Sequence, residues 1–303
     1  MSPDTKINCN LCGADDAAPL ETRARWGERM HNVVCRRCGL VYASPRLDRD
    51  DLDEFYRRRV YPQFLGPDGR FTERLTNASA KEAAVTFRYF AERGGLQLRD
   101  QQVLEIGCGL GHFLALCRDA GAHVQGVELD GLYADYAERE HGLPIVRNHI
   151  ERVDFERLFD VIALFHVVEH LEDPIELLLS LHRLLGPDGR LLIEVPNLAG
   201  PWRVPPSEFF RVEHLFNFTF ETLSQLLRRA GFEVEARDHD PFMVRVIARA
   251  SPVRSGPDLA TLTGEYDRVR RHLFRWRWRA RLFQPWYAVR RLLLGAPRPA
   301  PPS

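Results

Sequence analysis

The sequence predicts an α/β protein: a largely parallel sheet wound on both faces with an antiparallel edge strand, a small cysteine module before it and an amphipathic helix after it. Three observations carry this. Short apolar strand-like runs alternate with helical patterns from about residue 99 to 250, as parallel sheets require. Two C-x-x-C pairs stand about twenty residues apart near the start. Apolar residues spaced by threes and fours, surrounded by arginine, occupy residues 262–287. The expected units are 1–45, 46–98, 99–250 and 251–303.

The first unit holds Cys9 and Cys12, then Cys35 and Cys38, each pair followed by a glycine, Gly13 or Gly39. Each pair can form a knuckle whose thiolates face one ion, with the glycine permitting the tight turn. Four thiolates close a tetrahedral site with no open position, so a structural zinc is expected, ahead of iron. The intervening loop mixes Glu21 and Glu28 with Arg23, Arg25 and Arg29. It is no clean basic patch, and no nucleic-acid partner is expected.

Between 46 and 98, Asp48 to Asp51 opens a short helix, 61–75 reads as a loop, and Asn77 to Arg93 reads as a helix that "GGLQLRDQQ" breaks. The alternation follows. "VLEIG", "HVQGVEL", "PIVRN", "FDVIALFHV" and "RLLIEVPN" are strands. Gly111–Ala120, Leu132–His141 and Pro174–Leu185 are helices, the last ending at "GPDG". Residues 198–218 form an aromatic insertion and Phe220–Ala230 a helix. "FEVEARD" and "MVRVIARA" follow each other with no helix between, so one of them is expected antiparallel at an edge.

The loop "EIGCGLGH" then decides between cofactors. A dinucleotide fingerprint would need glycine where His112 stands, and a phosphate loop would need Gly-Lys-Ser/Thr. Glu105-x-Gly107-x-Gly109-x-Gly111 instead resembles motif I of the class I S-adenosylmethionine-dependent methyltransferases, and Glu128 at the end of the second strand supports it. "FDVIALFHVVEHLEDP", "LLGPDGRLLIEVPN" and "HLFNFTFETLSQLLRRAGFEV" resemble further segments of the small-molecule members, over about residues 100–250. The cysteine pairs with "CGLVYASPRL" resemble the zinc-binding segment that some sugar methyltransferases carry. The resemblance implies a Rossmann-like fold with S-adenosylmethionine as cofactor. By it, Glu105 and the loop of Gly107, Gly109 and Gly111 would hold the methionine part. Glu128 would take the ribose hydroxyls with Leu129 beside it, His149 and Ile150 would flank the adenine, and Phe165 and His166 would line the methionine end.

A sulfonium methyl group is already activated, so the enzyme must align the acceptor and remove its proton. Histidine is the natural base. A segment resembling the "EHxxxF" of sugar C-methyltransferases reads Glu213-His214-Leu-Phe-Asn-Phe218, which favours His214 as base with Glu213 as its orienting partner. Arg211 stands where some relatives have tyrosine. His166-Val-Val-Glu169-His170 has the order of an inverted zinc-protease motif, but that motif needs a helix and "DVIALF" is a strand. It is closer to the Glu-x-x-Glu-His stretch that quinone-biosynthesis O-methyltransferases tie to a divalent metal. Metal assistance at His166, Glu169 and His170 is therefore the alternative mechanism, with Glu169 and His170 counted as candidate catalytic residues. The expected acceptor is a small molecule, a sugar or glycan intermediate or a secondary metabolite. A hydroxyl is favoured over a carbon, because the sugar C-methyltransferases add a large C-terminal domain. A contrasting reading is a zinc-ribbon binding protein that no longer catalyses. Cys108 and Cys117 read as packing residues.

Net charge excludes nothing, since 42 basic residues meet 42 acidic ones. Its distribution is uneven. Beyond Ser251 stand 11 arginines, no lysine and 3 acids, a net of +8 that leaves −8 on the rest. The stripe Leu262, Tyr266, Val269, Leu273, Trp276, Ala280, Phe283 and Tyr287 is expected to pack on the acidic body or a second subunit through 258–294. The other expectation is a peripheral contact with the inner membrane surface. Pro285 is expected to kink or end that helix, with "GAPRPAPPS" disordered. With no apolar leader or spanning run, a cytoplasmic location is expected.

Overall fold

The computed structural model describes residues 6–23, 29–46, 49–149, 153, 155–202 and 204–293. Strands β1 (Ala17–Arg23), β2 (Arg29–Cys35) and β3 (Val41–Ala43) form an antiparallel ribbon. Helices α1 (Arg49–Phe55) and α2 (Glu73–Phe87) follow, α2 capped by the Thr72 hydroxyl. The alternating region comprises β4 (Gln102–Ile106), α3 (His112–Asp119), β5 (His123–Val127), α4 (Gly131–His141), β6 (Ile145–Val146), β7 (Phe159–Phe165), α5 (Pro174–Leu184) and β8 (Leu185–Pro196). Then come α6 (Pro206–Phe209), β9 (Phe216–Asn217), α7 (Phe220–Arg229), β10 (Phe232–Arg237), β11 (Met243–Ala250) and α8 (Glu265–Leu293).

The large sheet has the order β10-β11-β8-β7-β4-β5-β6. The β8-β7-β4-β5-β6 set is parallel, while β11 runs antiparallel between β8 and β10. The antiparallel strand is thus inside the sheet, and the edge belongs to β10, a correction to the expected edge position. The residues explain it. Val244, Val246, Ile247 and Ala248 of β11 are all buried, whereas β10 alternates with Glu233, Glu235 and Arg237 toward solvent. The more apolar strand takes the covered position. "GPDG" is also not a simple turn. It lies within β8, where the pairing slips between Phe159↔Leu185 and Val161↔Arg190.

Successive strand residues face opposite layers. Leu104, Ile162, Leu164, Leu191 and Ile193 pack with Leu177 and Leu181 of α5 and Leu223 and Leu226 of α7. Val103, Val161, Ala163 and Leu192 pack with Phe90 and with Phe113 and Leu114 of α3. The first layer continues into the ribbon through Cys9, Leu11, Leu40 and Tyr42. The Arg229 guanidinium locks this junction by donating to the carbonyls of Asn10 (2.6 Å) and Leu11 (3.0 Å). In addition β9, from the insertion, pairs with β3, so the ribbon sheet is β1-β2-β3-β9.

A third cluster joins the ribbon's Met30, Val34 and Val41, the insertion's Phe209 and Phe210, and the α8 stripe Val269, Leu273, Trp276 and Ala280. The Trp276 indole donates to the Val204 carbonyl at 2.6 Å. Most of the insertion's aromatic residues therefore pack on α8. The helix passes through Pro285 to Leu293 rather than ending there. Residues 294–303 lie outside the described residues. Among the described residues no helix is long and apolar enough to cross a membrane.

Candidate active site

The carboxyl ends of the adjacent parallel strands β5, β4 and β7 stand side by side, the usual place for a ligand in such a sheet. Strand β4 leads through Glu105 into the glycine loop. Gly107, Gly109 and Gly111 have φ of 67°, 52° and 76°, a region costly for other residues. At Gly107 space is lacking as well, because a Cβ would stand 2.6 Å from Val167 Cγ2. The N–H groups of Gly107 and Cys108 donate to the Val127 carbonyl at 2.8 and 3.2 Å, tying the loop to β5. Cys108 and Cys117 are buried beneath it.

Glu128, just past β5, accepts the Gly109 N–H (2.8 Å) on one oxygen and the Asp130 N–H (2.9 Å) on the other. Each oxygen retains a lone pair for a further donor. Burial raises its carboxyl, and those backbone donors oppose the rise. Glu105 is buried, with Oε2 lacking any hydrogen-bond partner. Burial first, and the Glu128 charge second, push its carboxyl well above the usual range. An orphaned buried carboxyl calls for a cation, and a diol fits the open lone pairs of Glu128. The pair fits the ammonium and ribose of S-adenosylmethionine. Leu129 is 51% exposed beside Glu128, and His149 is half-buried beyond β6 with its N–H on Asn148 Oδ1. Ile150 lies outside the described residues. The Phe165 ring stacks on Phe90 and meets the edge of Phe113, at 5.4 and 4.7 Å.

His166 takes a left-handed φ of 55°. Three carboxylates surround its ring: Glu194 at 3.2 Å, Glu169 at 3.4 Å and Glu82 at 3.7 Å. Burial works against its charge, but the hydrogen bonds to Glu169, Glu194 and Glu82 outweigh it and raise its pKa well above the ordinary value. An imidazolium in this state holds a proton and does not accept one. Glu194 also takes the Thr86 hydroxyl (3.1 Å) and the Arg245 guanidinium, which in turn reaches Asp238 and Asp240 at 3.0 Å each. Glu82, Thr86, Glu194 and Arg245 escaped the sequence reading. The signal for Glu194 and Arg245 was a charged residue inside each of two apolar strands, "RLLIEVP" and "MVRVIARA", and the register pairs the two directly.

The other cluster is built around the turn Val168–His170. His170 Nδ1 lies 2.9 Å from the Glu213 carbonyl, to which it must donate, and 2.8 Å from the Tyr56 hydroxyl. In the neutral ring this leaves the lone pair on Nε2. The His214 ring stands edge-on to it, 4.8 Å between centroids. Burial, and then the charges of His170, Arg211 and His166, drive the pKa of His214 well below the ordinary value. Glu213 places its carboxylate 3.6 Å from Arg211. It positions His170 through its backbone. Glu169 is buried, and its close charged neighbour is the His166 ring at 3.4 Å. The trio His166, Glu169 and His170 is not assembled as one ligand set. Among the described residues the sets are Glu169 with His170 and His214, and Glu82 with His166 and Glu194, their ligating atoms within 4.8 Å of one another. Tyr56 arrives from the 46–98 segment, where no sequence pattern marks it.

The four cysteines also converge, with all four Sγ atoms within 4.8 Å. Cys9–Cys38 and Cys12–Cys35 are each 3.5 Å apart and unbridged. A tetrahedron with bonds of about 2.3 Å has an edge of about 3.8 Å, so these thiols are spaced for one ion. The Gly13 and Gly39 N–H groups donate to the Cys9 and Cys35 carbonyls, closing both knuckles.

A family model described as Methyltransferase domain matches residues 71–237, more than half of the chain. The chain belongs to that family. The chain is 32% identical over 139 residues to a Mycolicibacterium smegmatis protein named "Probable S-adenosylmethionine-dependent methyltransferase", covering 45% of this chain and 53% of that one. It is 28% identical over 163 residues to a ubiquinone biosynthesis O-methyltransferase of Actinobacillus pleuropneumoniae, covering 50% and 66%. It is 32% identical over 154 residues to a tRNA U34 carboxymethyltransferase of Azotobacter vinelandii, covering 47% and 48%. The chain thus spans about half to two thirds of the length of the curated relatives it matches. Among solved structures, magnesium protoporphyrin IX methyltransferase of Synechocystis with bound S-adenosylmethionine superposes with a TM-score of 0.50 at 14% identity, over 69% of this chain and 100% of that one. The shared architecture is the Rossmann-like class I methyltransferase fold. The family match leaves out the cysteine ribbon and α8.

Proposed function

We propose that the methyltransferase transfers the methyl group of S-adenosylmethionine to a hydroxyl of a small molecule, a sugar or glycan intermediate or a secondary metabolite. The observation that carries this reading is the buried His214 ring edge-on to His170, whose turn follows the carboxyl end of β7 as the glycine loop and Glu128 follow those of β4 and β5. The sulfonium supplies an activated methyl group. Glu105 holds its ammonium and Glu128 its ribose, with Leu129 and His149 beside the adenine and His166 toward the methionine end. His214 removes the acceptor proton, and the fixed tautomer of His170 holds the neighbouring polar wall. A carbon acceptor ranks behind a hydroxyl. A divalent ion held by Glu169, His170 and His214 is the second reading, favoured by the approach of their ligating atoms to within 4.8 Å of one another.

Titration calorimetry tests the cofactor half. Wild type should bind S-adenosylmethionine. Gly107→Ala should bind it at least about tenfold more weakly, because the left-handed backbone alone costs about 1–2 kcal/mol once a Cβ is present. Absence of binding by wild type would leave only a zinc-ribbon binding protein.

We assign a structural zinc to Cys9, Cys12, Cys35 and Cys38. Its role is to hold the knuckles that carry β1–β3 against α7. Metal analysis should return about one zinc per chain, and Cys35→Ala should release it and melt the ribbon. A metal-free protein with the ribbon intact would contradict this.

A further inference from the structure

The packing of α8 leaves a second face unaccounted for. Val269, Leu273, Trp276 and Ala280 are buried against the ribbon and the insertion. On the opposite side, at about 100° per residue, stand Phe274, Trp278 and Leu282, which are 64%, 53% and 71% exposed. They are spaced four apart and so form one stripe, and the rings of Phe274 and Trp278 already touch, with centroids 6.4 Å apart. Arginines line the stripe. Arg270 and Arg281 stand on one flank, Arg275 and Arg279 on the other, and Arg271 within it, all exposed. Arg271, Arg275 and Arg281 make no ion pair among the described residues.

We propose that this outward face of α8 docks the protein on the surface of an anionic lipid bilayer. A bilayer surface supplies both things the face lacks: phosphate for the unpaired arginines and an apolar layer just beneath it for the stripe. Tryptophan and phenylalanine suit that boundary, and arginine stems reach along it while their heads stay among the headgroups. The same face of a second copy would set arginine against arginine. Because the opposite stripe is fixed to the body, the helix need not leave its place to bind. The docking face and the packing face are separate, and the protein lies on the surface without spanning it. An acceptor carried on a lipid would then be met at the membrane.

Vesicle cosedimentation of the full chain tests this. The protein should sediment with phosphatidylcholine vesicles containing phosphatidylglycerol and remain in solution with phosphatidylcholine alone. The triple variant Phe274→Ser, Trp278→Ser, Leu282→Ser should bind at least about tenfold more weakly. Arg271→Gln, Arg275→Gln, Arg281→Gln should bind more weakly as well. Calorimetry with S-adenosylmethionine should be unchanged in both, since neither variant alters the glycine loop or Glu128. Three results would overturn the proposal: no binding to the anionic vesicles, equal binding by the apolar triple variant, or a homodimer in light scattering that this variant dissolves. Binding to RNA that follows only the arginine variant would do so too.

Discussion

Arg245→Met should lower folding stability by about 3 kcal/mol, toward the low end of the 3–5 kcal/mol expected when one partner of a buried ion pair is removed. Arg245 and Glu194 are 4% and 1% exposed and face each other across the β11–β8 register. Deleting the guanidinium strands Glu194 in the sheet and frees Asp238 and Asp240 from their anchor. His166 and Thr86 remain to Glu194, which is why the loss sits at the low end. Adding Glu194→Leu should restore part of it, because the remaining carboxylate, not the missing cation, is the main cost. Urea unfolding of wild type, single and double variants reads this, and a loss below about 1 kcal/mol in the single variant would show the pair to be decorative.

The same network has a signed pH dependence. The Glu194 carboxyl is lowered in the fold, burial opposing the effect and His166 and Arg245 producing it. Its contribution is present above the ordinary glutamate value of about 4.3 and is lost as pH falls through the lowered value. The His166 pKa is raised, so its contribution is complete below the ordinary histidine value of about 6.5 and is lost as pH rises through the raised value. The network therefore holds best between about pH 4.3 and 6.5.

These groups also mark what a sequence can and cannot reveal. The cysteine pairs, the loop of Gly107 to Gly111 and Glu128 were legible because each motif is local: two knuckles, one turn, one strand end. The β/α alternation was legible for the same reason. Glu194 with Arg245 was not, because their contact depends on β11 entering between β8 and β10, an order no neighbouring residue dictates. Nor was the link from Tyr56 to His170, 114 positions away, or the pairing of β9 with β3. The α8 stripe was read from its spacing, but two apolar faces half a turn apart look alike in a sequence. Only packing against Phe209, Phe210 and the ribbon tells the inward one from the outward one.

His214→Ala is expected to lower turnover by about 10²- to 10⁴-fold, the usual worth of a positioned base, with S-adenosylmethionine affinity unchanged. The affinity should hold because Glu105, the glycine loop and Glu128 belong to β4, β5 and the turns after them, whereas His214 lies in the insertion between α6 and β9. Three roles for His214 then separate by further readouts. As a base it works in the neutral form, and its depressed pKa keeps it neutral at pH 7. The acid limb of the turnover profile should then lie below about pH 6.5 and disappear in the variant. Folding stability follows the opposite sign from His166. The contribution of a depressed histidine is present above about pH 6.5 and is lost as pH falls toward the lowered value. As a metal ligand with Glu169 and His170, it would make turnover of wild type sensitive to a chelator too mild to strip the cysteine site, and Glu169→Gln would be as damaging as His214→Ala. As a packing residue it would tolerate His214→Gln, which keeps the volume and a polar end but cannot take a proton at neutral pH. The expected pattern is loss of turnover in both His214 variants, no effect of the mild chelator and a lost acid limb. That combination belongs to the base alone, since neither packing nor ligation ties turnover to the protonation of one buried imidazole while leaving the cofactor bound.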